Sequence, residues 1–126
     1  MIKLQLKLKA TILKELLTDK TEISVGRDSA NDLCIDNLAA SSRHARLFKG
    51  PDDKYAVEDL NSTNGTFVNG KQVMTKVLDD NDLIAIGKHT IHVAYQDDDA
   101  LNKQKSSRIG ESTYVLDKKD LEKMRR

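Results

Sequence analysis

From residue 22 to residue 95 every apolar run ends after a few positions at a turn former, and this punctuation constrains the fold more than any other feature of the chain. The β-rich runs fall at 22–25, 33–35, 44–49, 55–60, 66–68, 83–86 and 89–95. Between them stand Asp28-Ser29, Asp36-Asn37, Gly50-Pro51-Asp52-Asp53, Asn64-Gly65, Asn69-Gly70, residues 79–82 and Gly87-Lys88. These residues favour turns through left-handed backbone, a fixed proline φ or side chain to backbone hydrogen bonds. Many short strands without helical patterns between them predict an antiparallel sandwich or barrel.

The first segment adds a strand with one buried face. Ile2, Leu4, Leu6 and Leu8 alternate with Lys3, Gln5 and Lys7, the period of a half-buried strand. The next is ambiguous, because Ile12, Leu13, Leu16 and Leu17 are spaced like one face of a helical turn. After Tyr95 the composition shifts to charged residues with few large apolar ones, which reads as a linker. Leu121 and Met124 support at most a short marginal helix within 116–126. The expected organisation is one domain over 1–96 and a flexible charged tail over 97–126.

Charge and cysteine content remove several function classes. The 21 Lys and Arg against 20 Asp and Glu leave a formal net charge of +1, not the basic excess of a nucleic-acid binder. An aromatic content of 4% without Trp also lacks the stacking platforms of single-strand binders. Cys34 has no partner for a disulfide, MIKLQLKLKA is not a signal peptide, and no apolar stretch is long enough to span a bilayer. These features predict a soluble cytoplasmic protein, in which the sequon Asn61-Ser62-Thr63 has no secretory route to glycosylation.

Catalytic equipment is missing too. His44, His89 and His92 form no HExxH or Cys/His ligand set, so neither a metal nor another cofactor is expected. Ser41 and Ser42 precede His44, but no GxSxG turn supports a nucleophile, and His44 reads better as a hydrogen-bonded structural residue. No glycine-rich loop could cradle a nucleotide phosphate. What remains is a polar set at strand ends: Arg27 after ISVG, Ser41 and Ser42 before HARLF, Thr63 and Asn64 before GTFVN. Loops at one end of a sandwich converge, and a guanidinium, three hydroxyls and an amide would together suit a dianion. The same residues taken singly also suit a snorkelling Arg and turn-capping hydroxyls.

ISVGRDSANDLCIDN, SSRHARL, VEDLNSTNGTFVNGKQV and LDDNDLIAIGKHTIHV, in that order, resemble the forkhead-associated (FHA) domain, a phosphothreonine-reading β-sandwich. The resemblance runs from about Ile23 to Tyr95 and implies an all-β sandwich of two antiparallel sheets with about eleven short strands. It makes 12–17 the second strand, and it sets Asn81 where the family usually has glycine, a replacement compatible with left-handed backbone. Carried over by position, Arg27 and Ser41 correspond to the principal phosphate ligands, Thr63 to the hydroxyl that completes them, and Ser42 to an assisting position. Asn64 corresponds to the residue that holds the peptide backbone, and Gly26, His44, Gly65 and Asn69 to architectural positions.

The expected function is a non-catalytic signalling adaptor for a phosphothreonine protein or peptide, with a Ser/Thr kinase or its substrates as candidate partners and no nucleic acid or membrane span. One alternative is a phospho-independent scaffold or oligomerisation domain. Another is a switch in which Thr113, in GESTYVLD, becomes phosphorylated and docks in an FHA site.

Overall fold

Ile2–Leu8 (β1) buries Ile2, Leu4 and Leu6 and turns Lys3, Gln5 and Lys7 outward, as its alternation requires. The structure, a computed structural model, describes residues 1–96 together with the backbone of Thr113–Asp117. Strands follow β1 in chain order: Thr11–Thr18 (β2), Glu22–Gly26 (β3), Leu33–Cys34 (β4), Ala45–Lys49 (β5), Tyr55–Asp59 (β6), Thr66–Val68 (β7), Lys71–Val73 (β8), Thr75–Val77 (β9), Leu83–Ile86 (β10), His89–Tyr95 (β11) and Thr113–Asp117 (β12). They form a seven-stranded sheet, β12-β2-β1-β11-β10-β7-β8, and a five-stranded sheet, β4-β3-β5-β6-β9. Pairing is antiparallel except between β3 and β4. The core lies between the sheets, with Ile2, Leu4, Ile84, Ile91 and Val93 meeting Ile23, Val25, Leu47 and Val57.

The ambiguous second segment is a strand with a bulge. Leu6 pairs with Lys14 but Lys7 pairs with Ile12, so Leu13 is an extra residue in β2. The slip puts Ile12 and Leu13 side by side on the apolar ledger, Leu13 packing partly against the core, and mimics helical spacing. Between β7 and β8, Asn69 at φ 51° and Gly70 at φ 86° make a two-residue turn with both centres left-handed, the type I′ hairpin that an Asn-Gly pair favours. Asn64-Gly65 differs, because only Gly65 is left-handed there, at φ 89°. Asn81, at φ 71°, adopts the backbone its glycine-like position demands.

Two departures concern edges. The short strands β8 and β9 carry exposed residues and no clean alternation, so nothing in their sequence marks them as strands. The flexible tail expected over 97–126 contains strand β12, paired antiparallel with β2, where Leu116 and Asp117 had been expected in a helix. Once pairing with β2 supplies the hydrogen bonds, a segment too short to order itself gains a fixed register. The remainder of that expected helix lies outside the described residues.

Candidate functional site

Antiparallel pairing of Val25 with Ala45, and of Ala45 with Asp59, brings the end of β3, the start of β5 and the end of β6 to one edge of the sandwich. The loops carrying Arg27, Ser41 to Arg43 and Thr63 to Asn64 therefore leave from the same end.

Hydrogen bonds then fasten the loops to each other. The Arg27 amide donates to the Ser41 carbonyl at 2.9 Å and the Asp28 amide to the Ser42 carbonyl at 3.2 Å. The Thr63 amide donates to Ser41 Oγ at 3.1 Å, and Asn64 Nδ2 to the Ala39 carbonyl at 2.9 Å. Ser41 touches both neighbours, so Arg27, Ser41, Ser42, Thr63 and Asn64 share one rim.

His44 sits beneath this rim, fully buried. Its Nδ1 accepts from the Ser41 amide at 3.0 Å, and its Nε2 lies 2.9 Å from the Gly65 carbonyl. A carbonyl can only accept and an amide N–H can only donate, so both contacts hold only for neutral imidazole with its proton on Nε2. The side chain bridges the Ser41 loop to the Thr63 loop from below, the architectural place expected of it.

Two glycines permit the close approach. A Cβ on Gly26 would lie 2.3 Å from the Ser42 carbonyl oxygen and 2.8 Å from Asn31 Nδ2, so the Ser42 strand end can rest on β3 only if position 26 lacks a side chain. At Gly65 a Cβ would meet Gln72 Nε2 at 2.6 Å on a left-handed backbone. Asn69 stands apart from the rim: its Nδ2 donates to Asp82 at 2.9 Å and its Oδ1 accepts from the Leu83 amide at 3.0 Å.

Several supporting residues escaped the sequence reading. Asn31 Nδ2 donates at 2.8 Å to both the Asp28 and Ser42 carbonyls, tying the Arg27 loop to the Ser42 loop. Asp59 accepts from the Ser62 amide at 3.1 Å, from the Ser62 hydroxyl and from Thr66 Oγ1 at 2.7 Å, while Ser62 Oγ accepts from the Gly65 amide at 2.9 Å. Burial opposes ionisation of Asp59, but these hydrogen bonds outweigh it and hold its carboxyl below the ordinary aspartate range. The Asp59 to Ser62 spacing is a turn signal of its own, legible in principle. Asn31 offers no such signal, because its partner is eleven residues away.

The donors left over define what the rim can do. Among the described residues the Arg27 guanidinium has no hydrogen bond or ion pair, and the hydroxyls of Ser42 and Thr63 have none either. Ser41 Oγ accepts from Thr63, so its own proton remains free to donate outward. The described residues hold no group of three or more His, Cys, Asp or Glu arranged for a metal ion. Thr113 is not at this rim: its backbone pairs with Thr18, which leads towards the start of β3 at the opposite end of the sandwich.

A sandwich with a packed interior and loop-borne donors turned outward has the architecture of a recognition module. The chain belongs to the FHA family, whose domain model matches residues 23–87. It is similar to an oxoglutarate dehydrogenase inhibitor of Corynebacterium jeikeium, 39% identical over 72 residues, covering 57% of this chain and 49% of that protein. A glycogen accumulation regulator, GarA, of Mycobacterium tuberculosis is 38% identical over 72 residues, with 57% and 44% covered. The chain thus spans about half the length of the curated relatives it matches. Among solved structures, one reported under phosphothreonine-dependent FHA domain interactions superposes with a TM-score of 0.65 at 27% identity, covering 76% of this chain and 97% of that one.

Proposed function

We propose that this chain is a non-catalytic adaptor that binds phosphothreonine peptides at the rim formed by the loops after β3, before β5 and after β6. Arg27 gives a bidentate pair of donors to the phosphate, Ser41 and Thr63 one hydroxyl each, Ser42 assists, and Asn64 holds the peptide backbone. The observation that supports this most is Ser41, whose carbonyl and hydroxyl oxygens accept from Arg27 and Thr63 while its own proton stays free. Asn64 keeps an unengaged side-chain oxygen and its second amide hydrogen for a peptide.

Magnitudes indicate reversible binding. Charge-assisted hydrogen bonds contribute roughly 1.5–3 kcal/mol each, against an association cost of about 4–15 kcal/mol. The phosphate contacts need help from the flanking peptide, and affinity follows the roughly −1.5 to −2 charge that a kinase adds. The printed descriptions of the relatives, an inhibitor and a regulator, agree with an adaptor role. A cytoplasmic protein carrying a threonine phosphorylated by a Ser/Thr kinase is the partner this reading requires.

The test is a titration of matched phosphothreonine and unphosphorylated peptide libraries by isothermal calorimetry. Phosphate-dependent binding that Arg27→Ala abolishes is expected. Equal affinity for both libraries, or full binding by Arg27→Ala, would sink the proposal.

A further inference from the structure

The pairing of β12 with β2 is selective at every row but one. Thr113 lies opposite Thr18, Tyr114 opposite Leu17, Val115 opposite Leu16, Leu116 opposite Glu15 and Asp117 opposite Lys14. Hydroxyl with hydroxyl, aromatic with aliphatic, β-branched with aliphatic and acid with base are the favoured cross-strand combinations. The mismatched row has a local reason, since the Glu15 carboxylate already accepts from Gln5 Nε2.

β2 is well suited to receive a strand. It is eight residues long, one of its sides is taken by β1, and among the described residues only β12 occupies the other. Over 14–18 its register runs without interruption, the bulge at Leu13 lying beyond the covered rows. A regular edge of this length is a template for main-chain pairing.

The connection leaves slack. Tyr95, Ile2, Thr18 and Thr113 stand in one row across the sheet, so the two ends of segment 97–112 are separated by three strand spacings, roughly 14 Å at ~4.8 Å each. A chain of that length can reach on the order of 50 Å at ~3.3 Å per residue. β12 can leave its place without drawing on β11.

We propose that the outer edge of β2 is a second binding site of this chain, independent of phosphate, which takes an extended segment of a partner protein by strand addition and is capped by Thr113–Asp117. The ligand is a segment that reads, from its N-terminal end, hydroxyl, aromatic, β-branched, aliphatic and acidic, the acid facing Lys14. The cap competes through its tether, at an effective concentration on the order of millimolar, so a partner strand of micromolar affinity displaces it. The site stands at the flank of the seven-stranded sheet, away from the phosphate rim, so both can be filled at once.

The full chain carrying Val115→Pro tests this, because proline removes a ladder amide and uncaps β2. The probe is the unphosphorylated peptide ESTYVLDK, corresponding to 111–118, with amide chemical shifts read by NMR. Val115→Pro is expected to bind it at least about tenfold more tightly than the parent chain, with shift changes centred on Lys14 to Thr18. Asp117→Lys in the full chain, which sets two cations opposite each other, uncaps the edge without proline, and adding Lys14→Asp restores the cap. No binding by either uncapped variant, affinity equal to that of the parent, or shifts centred on Ser41 and Thr63 would overturn the proposal.

Discussion

His44→Ala is the perturbation that most directly tests how the rim is built. The imidazole is fully buried and bridges the Ser41 amide at 3.0 Å and the Gly65 carbonyl at 2.9 Å. Removing it leaves the buried Gly65 carbonyl without its partner, at about 1–3 kcal/mol, whereas water can reach the half-buried Ser41 amide and recover part of that loss. With the vacated volume added, a loss of about 2–4 kcal/mol is expected from a fold whose whole stability is on the order of 5–15 kcal/mol. At roughly 4–8 °C per kcal/mol for a domain of this size, Tm should fall by at least about 8 °C. The chain has no Trp, so urea unfolding is best followed by far-UV circular dichroism. Phosphopeptide affinity, measured where the variant is still folded, should fall as well, because the Ser41 and Thr63 loops lose their shared support. A variant within about 0.5 kcal/mol of the parent, binding phosphopeptide equally well, would refute the bridge as the organiser of the rim.

Gly26→Ala should weaken phosphopeptide binding more than it lowers stability, since the added Cβ meets the Ser42 carbonyl at 2.3 Å and displaces the loop that carries Ser41; calorimetry and urea melts on one sample separate the two effects. Asp59, Asp82 and Asp32 each carry a carboxyl that burial pushes up but hydrogen bonds, and a neighbouring lysine at Asp82 and Asp32, bring below the ordinary value. Their contribution is therefore present above about pH 4 and lost as pH falls below it, and Asp59→Asn should flatten the acid limb of a pH–stability curve. His89 is 5% exposed, its Nδ1 is unpartnered among the described residues, and burial holds its imidazole below the ordinary value. Below about pH 6.5 the unfolded chain binds a proton that the folded one resists, so stability declines there, and His89→Leu should remove that part of the slope.

What could be read from the residues is what local geometry governs. The alternation in Ile2–Leu8 marks a strand because period two alone decides which side chains face the core. Asn69-Gly70 marks a hairpin because few other pairs accept two left-handed residues, and the type I′ turn follows from that. The rim residues Arg27, Ser41, Thr63 and Asn64 were legible as a set through the family resemblance; taken singly, their chemistry fitted turn capping equally well. Asn31 was not legible, because its contact with Ser42 exists only after β3 and β5 have paired. β8 and β9 were missed for a related reason: their exposed side chains take no part in the core, and their strand character comes from hydrogen bonds to β7 and β6.

The sequence by itself determined the strand content, the turns and the inventory of polar groups, since each depends on a residue and its near neighbours. Only the tertiary structure decided that Ser41 joins Arg27 to Thr63, that His44 is a neutral bridge, that Leu13 is a bulge, and that Thr113–Asp117 pairs with β2. Each of these rests on a partner distant in the chain, and a hydrogen bond across that separation has no local pattern to announce it.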